Sequence, residues 1–239
     1  MKNTHSIDLD EVKSKLYEYL KPSGWGNKLK TFILSNDFEI VLVKLLEEAR
    51  EGKRFTPPVK QIFRAFEECP YDKLKIVIMG QDVYPYAGAA DGIAFSCSNT
   101  GKVEASLKYM FKDIEDNVYP QDGYTWDPDL KRWSNQGILM LSSSLTTTIG
   151  KVGTHYGLWR PFMEFLFDVL IFQNSGLIYT FMGKKAQEWS KYVSKGNWIL
   201  QCSHPASAAH ANLPSWDSGN IFTQMSDLVE SQYKEKIIW

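Results

Sequence analysis

Four short apolar runs constrain the fold more than any other feature: Leu74 to Met79, Gly137 to Leu141, Leu177 to Met182 and Trp198 to Cys202. They are rich in β-branched and aromatic residues and nearly continuous. A strand with one wet face alternates apolar and polar side chains, whereas a strand covered on both faces has no need to. These runs therefore predict strands buried on both faces of a parallel sheet. Parallel neighbours require long crossovers, and the intervening stretches carry helical spacing. Residues 104 to 117 place Leu107, Met110, Phe111 and Ile114 on one face, with Lys108, Lys112, Asp113 and Asp116 off it. Residues 157 to 172 do the same with Leu158, Phe162, Phe165, Leu166 and Val169. The pattern predicts a three-layer α/β/α fold with a central four-stranded, mostly parallel sheet and right-handed crossovers.

Residues 1 to 70, approximately, lack strand runs and predict helices over 8 to 20, 37 to 51 and 59 to 68, the last opened by Pro57-Pro58. No repeat or Pro/Ser-rich linker separates this helical layer from the core at about 71 to 225, so a single domain is expected. A chain of 239 residues buries enough surface to fold without disulfides. Cys69, Cys97 and Cys202 are widely spaced and form no CxxC pair, which points to a reducing, intracellular setting, cytoplasmic or nuclear, and to no zinc site. Charges throughout the first twenty residues exclude a signal peptide, and no apolar run is long enough to span a bilayer. With 27 Lys+Arg against 28 Asp+Glu, no global basic field announces a nucleic acid, although a local basic groove remains compatible with that balance.

The chemistry should lie where the strands end. The runs are followed by Gly80-Gln81-Asp82-Val83-Tyr84-Pro85, Ser142-Ser143-Ser144, Gly183-Lys184-Lys185 and Ser203-His204-Pro205-Ala206-Ser207. In an open parallel sheet, ligands bind outside the carboxyl ends of the strands, so these clusters converge. Individually each has a plainer reading: Asp82 as a turn cap, His204 as a loop histidine bonded to backbone, the serines as capping hydroxyls and Lys184 as a solvated charge. Together, an acid and an imidazole after separate strands make a two-group catalytic site. There is no G-x-S-x-G elbow, no phosphate-cradling GxxxxGK[ST] or GxGxxG, and no HExxH among His5, His155, His204 and His210. Neither a cofactor nor a metal is implied.

At these residues the chain resembles the first, most widespread family of uracil-DNA glycosylases. That family's water-activating motif is similar to GQDPYHGPGQAHGLAFS, and Gly80 to Ser96 reads GQDVYPYAGAADGIAFS. Its late motif resembles HPSPLS, and His204 to Ala209 reads HPASAA. Gly137 to Thr146 looks like GVLLLNxxLT, and Thr154-His155 stands where a Ser-His pair usually follows. The resemblance spans about residues 20 to 225 and implies a soluble, monomeric DNA N-glycosylase that hydrolyses the bond to a flipped-out pyrimidine, most simply uracil, in single- or double-stranded DNA. Asp82 would orient the attacking water and stabilise the cationic sugar. His204 would donate to the departing base's O2. Gln81 would contact the base through its backbone, Phe95 would stack on it, and Tyr84 would exclude thymine at C5. Pro57, Pro58, Ser106, Gly183, Lys184 and Ser207 would contact DNA phosphates. Sensitivity to a proteinaceous inhibitor is left open.

Two departures carry consequences. Ser142 stands where the family has an Asn that reads the base edge, and one rotatable hydroxyl replaces an amide donor and acceptor. This admits a modified pyrimidine, such as a modified cytosine of viral DNA in a defence role, as an alternative substrate. Ala208 aligns with the family's wedge leucine and is too small to fill the gap left by a flipped base, so either another residue of the altered segment 210 to 216 takes over, Leu213 being the candidate, or flipping is less assisted and single-stranded DNA is favoured. Val83 and Pro85 replace the usual Pro and His. The altered Ser142 and Ala208 also motivate a noncatalytic DNA-binding protein, which retained Asp82 and His204 oppose. The positive field is expected around Lys184 and Lys185, with compensating acids on the helix at 37 to 51.

Overall fold

The computed structural model describes residues 7–121, 123–172 and 175–239; the first six residues of the expected helical layer, His5 among them, lie outside that range. Three helices open the chain: α1 (Leu9–Leu20), α2 (Trp25–Ile33) and α3 (Asn36–Arg50). Side-chain caps start two of them. The Asp8 carboxylate accepts from the amides of Asp10 and Glu11, and the Ser35 hydroxyl from that of Phe38, satisfying donors a helix start leaves free. The expected helix at 59 to 68 is instead a 3₁₀ turn, Val59–Gln61, followed by α4 (Arg64–Glu68). Here the backbone is pressed against the next layer: a Cβ on Gly92 would lie 1.7 Å from the Gln61 carbonyl oxygen.

Strand β1 (Phe55–Thr56) precedes α4, and β2 (Ile76–Gly80), α5 (Ala105–Asn117), α6 (Lys131–Ser134), β3 (Ile138–Ser142), β4 (Thr147–Thr148) and α7 (Tyr156–Ile171) follow it. The chain ends with β5 (Ile178–Met182), α8 (Lys184–Gln187), β6 (Trp198–Cys202), α9 (Pro205–His210) and α10 (Ile221–Tyr233). The four predicted runs form one wholly parallel sheet in the order β3-β2-β5-β6, while β1 and β4 pair as a short antiparallel ribbon. Every residue of β2, β3 and β5 is buried, as a strand covered on both faces must be. β6 departs from that expectation. It pairs only with β5, and Trp198 and Ile199 are 44% and 46% exposed, so it is a half-wet edge.

Helix α2 was hidden in the sequence by its glycines. Gly26 lies against α1, where a Cβ would come within 2.7 Å of the Tyr17 carbonyl oxygen, so the residue that weakens the helix permits close packing. Trp25 is fully buried and donates to the Cys69 carbonyl at 2.7 Å. Phe32, Phe63, Phe66, Trp159 and Phe162 pack in largely edge-to-face contacts, the arrangement aromatic quadrupoles favour. The helical layer therefore shares its core with α7 and reaches the loops beyond β3. Among the described residues no helix is long and apolar enough to cross a membrane.

Candidate active site

The carboxyl ends of the four strands come together. Gly80, the last residue of β2, pairs in register with Ser142, the last of β3. Ser143 donates to the Gly80 carbonyl through both its amide, at 3.2 Å, and its hydroxyl, at 3.1 Å. After β5, the Gly183 amide donates to the Cys202 carbonyl of β6 at 2.9 Å. Gly183 has φ of 93°, and a Cβ there would stand 2.8 Å from the His204 Cβ and 3.5 Å from the Gln81 Oε1. Three of the predicted clusters thus meet at one glycine.

Asp82 sits immediately beyond β2, partly buried. Its carboxylate accepts from the Val83 amide at 2.9 Å and from the Gly153 amide. Burial pushes its pKa up to about 6, against the opposing pull of those two donors. The carboxylate is thereby oriented by backbone and ionised at neutral pH, with little solvent to dilute its charge. Gly153 was not singled out in the sequence, although it has φ of 73° and a Cβ there would come 2.7 Å from the Tyr156 ring. The Tyr156 hydroxyl is buried, and burial followed by the charge of Asp82 raises its pKa.

His204 caps α9. Its Nδ1 accepts from the Ala206 amide at 3.1 Å, so its proton resides on Nε2. Burial, reinforced by His210, lowers the pKa to about 4. The group is an uncharged imidazole with a fixed N–H donor and no intramolecular partner for that donor among the described residues. Phe95 stands beside it, with ring centroids 5.4 Å apart. Its backbone is left-handed, φ 66°, a conformation costly for an aromatic residue, and this lays the ring across Gly80, where a Cβ would approach two ring carbons at 3.0 Å. Tyr84 donates to the Phe95 carbonyl at 3.1 Å, and burial keeps its hydroxyl protonated. Tyr84, Phe95 and Ser142 border a cavity of about 10 Å³, large enough for one water-sized group. The Ser142 hydroxyl is buried and has no partner among the described residues, an unsatisfied group that costs free energy until something pairs with it.

Other predicted positions divide by exposure. Pro58, Lys184 and Ser207 lie on the surface, and the Ser207 hydroxyl donates to the His204 carbonyl at 2.7 Å. Pro57 is buried, as is Ser106, 6% exposed in the first turn of α5. Ala208 is 2% exposed where α9 packs on α5. Leu213 is 50% exposed, yet its backbone is tied down: its amide donates to the Ala208 carbonyl and its carbonyl accepts from the Tyr109 hydroxyl at 2.6 Å. Lys185 is not a free cation, since Glu188 pairs with it at 3.0 Å. Nor is Glu48 a distant compensating acid. It is buried and bonded to His155 Nε2 at 3.0 Å; His155 Nδ1 meets the Thr146 hydroxyl at 2.7 Å, and that hydroxyl accepts from Trp159. This buried chain ties α3 and α7 to the segment that carries Gly153. The cysteines are free and buried, and among the described residues no group of three or more His, Cys, Asp or Glu could hold a metal ion.

Comparison with known proteins agrees with this geometry. The model of the uracil DNA glycosylase superfamily matches residues 66–225. A uracil-DNA glycosylase of Xanthomonas oryzae pv. oryzae is 33% identical over 203 residues, covering 83% of this chain and 81% of the relative. One from Christiangramia forsetii is 28% identical over 220 residues, covering 90% and 97%. Among solved structures, the crystal structure of mimivirus uracil-DNA glycosylase superposes with a TM-score of 0.82 at 25% identity, over 93% of this chain and 88% of that one. A variant of the mimivirus protein in complex with UGI gives 0.81 at the same identity, over 92% and 90%.

Proposed function

The chain belongs to the uracil DNA glycosylase superfamily, and from that premise we propose that it hydrolyses the N-glycosidic bond of uracil in DNA through Asp82 and His204. Cleavage leaves positive charge on the deoxyribose and negative charge on the departing base. A site accelerates such a step by meeting charge where it develops. Asp82 supplies the anion: its carboxylate, aimed by the Val83 and Gly153 amides, stabilises the cationic sugar and orients the water that attacks it. His204 supplies the donor: its Nε2–H, fixed by the Ala206 amide on Nδ1, bonds the base's O2 as charge accumulates there. The atoms balance. Water adds hydroxyl to C1′, its proton ends on the released base or solvent, and an abasic site remains.

The observation that carries this reading is the tautomer and charge of His204. An imidazolium would protonate the base outright, whereas an uncharged Nε2–H donor strengthens its bond only as the leaving group becomes anionic. Phe95 gives the base a stacking face, and Tyr84 crowds the pocket beside it. Ser142 offers its unpartnered hydroxyl to the polar edge of the base. The target must leave the helix to reach these groups, and exposed Leu213 on its anchored loop fills the gap that buried Ala208 cannot.

Relatives named for uracil favour uracil over a modified pyrimidine, and the acid and imidazole pair opposes a purely noncatalytic binder. Base release from oligonucleotides bearing uracil, thymine, hydroxymethyluracil or modified cytosines tests the assignment. Uracil should be released, and thymine retained. Release of a modified cytosine in preference to uracil would overturn the substrate, and Ser142→Asn should then restore preference for uracil.

A further inference from the structure

Two backbone–backbone hydrogen bonds and one from a backbone amide to the catalytic carboxylate lay separate segments side by side. Gly153 donates to Asp82, Gly150 to the Pro85 carbonyl at 2.7 Å, and Ile149 to the Arg54 carbonyl at 2.8 Å. Residues 82 to 86 therefore run along residues 150 to 153, with the end of the β1–β4 ribbon beside them. Tyr86 and Val152 project from this strip, each 62% exposed. The Tyr86 hydroxyl makes no hydrogen bond among the described residues, and nothing in the catalytic step uses the ring.

The strip carries the Asp82 carboxylate, held on the Val83 and Gly153 amides, and the side chains exposed beside it include Arg54 and Lys151. Arg54 and Lys151 are exposed and form no ion pair among the described residues, while Glu51, the acid nearest Arg54 in sequence, pairs with Lys53. An exposed aromatic face flanked by free cations fits a single nucleic-acid strand, whose unpaired bases stack on rings while its phosphates attract cations. A duplex keeps its base faces covered and cannot use the ring in this way.

We propose that Tyr86, Arg54 and Lys151 form a subsite for the nucleotide adjacent to the flipped one in single-stranded DNA, the base stacking on Tyr86 and the phosphates bound by the two cations. The proposal rests on DNA being the substrate, and what it adds is a contact to the neighbouring nucleotide that the catalytic residues do not make.

The test uses single-stranded and duplex oligonucleotides carrying a tetrahydrofuran abasic analogue flanked on one side by 2-aminopurine, with uracil release measured separately. Wild-type protein should quench the 2-aminopurine of the single strand on one side of the analogue. Tyr86→Ala should abolish the quench and weaken single-strand affinity about five-fold or more, with little change on duplex, whereas Tyr86→Phe should retain both. Arg54→Ala combined with Lys151→Ala should reduce the slope of log affinity against log salt by about 1.4 on single strands. Unchanged quenching and affinity in Tyr86→Ala would overturn the subsite, and equal losses on duplex would overturn its restriction to single strands. Failure of the wild-type protein to release uracil while Tyr86-dependent quenching persists would instead refute the catalytic reading and leave the subsite standing.

Discussion

The raised pKa of Asp82 makes acidification the most revealing perturbation of this site. Only the ionised carboxylate can stabilise a cationic sugar. Burial moves the group from 3.8 to about 6, equivalent to about 3 kcal/mol between its charged and neutral forms. The sign follows directly: raising the pKa of the required anion removes activity as pH falls through about 6. At pH 7 about nine-tenths of Asp82 is ionised, and at pH 5 about one-tenth, whereas an ordinary carboxylate would remain about nine-tenths ionised at pH 5. His204, at about 4, stays uncharged across that window and adds no second transition. We therefore predict that kcat/KM for a single-stranded uracil oligonucleotide falls about ten-fold between pH 7 and pH 5, along a single titration of the free enzyme. Substrate-binding controls over the same range separate chemistry from protonation of the DNA contacts. A profile flat down to pH 5, or activity rising on acidification, would refute the claim that a desolvated Asp82 carboxylate drives the reaction.

Three substitutions probe the architecture. Gly183→Ala places a methyl group 2.8 Å from the His204 Cβ at φ of 93°; kcat should fall by at least ten-fold while Kd for an abasic analogue changes little, and an unaltered kcat would show that His204 is not held by this contact. Ser142→Ala removes a buried, unpartnered hydroxyl, so denaturant midpoints should be unchanged or higher, while release of uracil slows; a large loss of stability would mean the hydroxyl is bonded in solution. Glu48→Ala leaves the buried His155 Nε2 without its hydrogen-bond partner and should cost about 1–3 kcal/mol by urea unfolding, and Glu48→Gln, which keeps an acceptor oxygen, should cost less. Equal costs would argue against the hydrogen-bonded chain through Thr146.

Much of the site was legible because the sheet was. Continuous apolar runs identified β2, β3 and β5, and their ends placed Asp82, Ser142 and Gly183 around one point before any contact was known. His204 followed from the same rule even though β6 is an exposed edge, because position after the strand and not burial fixes where the loop emerges. What escaped reading depends on meetings between distant segments. The Gly153 amide that orients Asp82 comes from a stretch, Lys151-Val152-Gly153, with no local signature. Glu48 looked like a solvated helix charge until α3 packed it against His155. Ala208 and Pro57, placed by their order in a motif, are buried, since linear position does not tell which side of a short loop faces the core. The near-neutral charge hid a local asymmetry for the same reason: Lys185 is paired, whereas Arg54 and Lys151 form no ion pair among the described residues.

The central claim is that the Asp82 carboxylate performs the chemistry on uracil. It is tested most directly by single-turnover release of uracil from a labelled oligonucleotide, comparing wild type with Asp82→Asn at pH 7.5 and reading abasic sites by alkaline cleavage. The account predicts stoichiometric abasic sites with the wild-type protein, a rate at least a hundred-fold lower for Asp82→Asn, and similar DNA affinity for both. Wild-type protein that leaves uracil in place, or an Asp82→Asn variant that releases it at an undiminished rate, would contradict it.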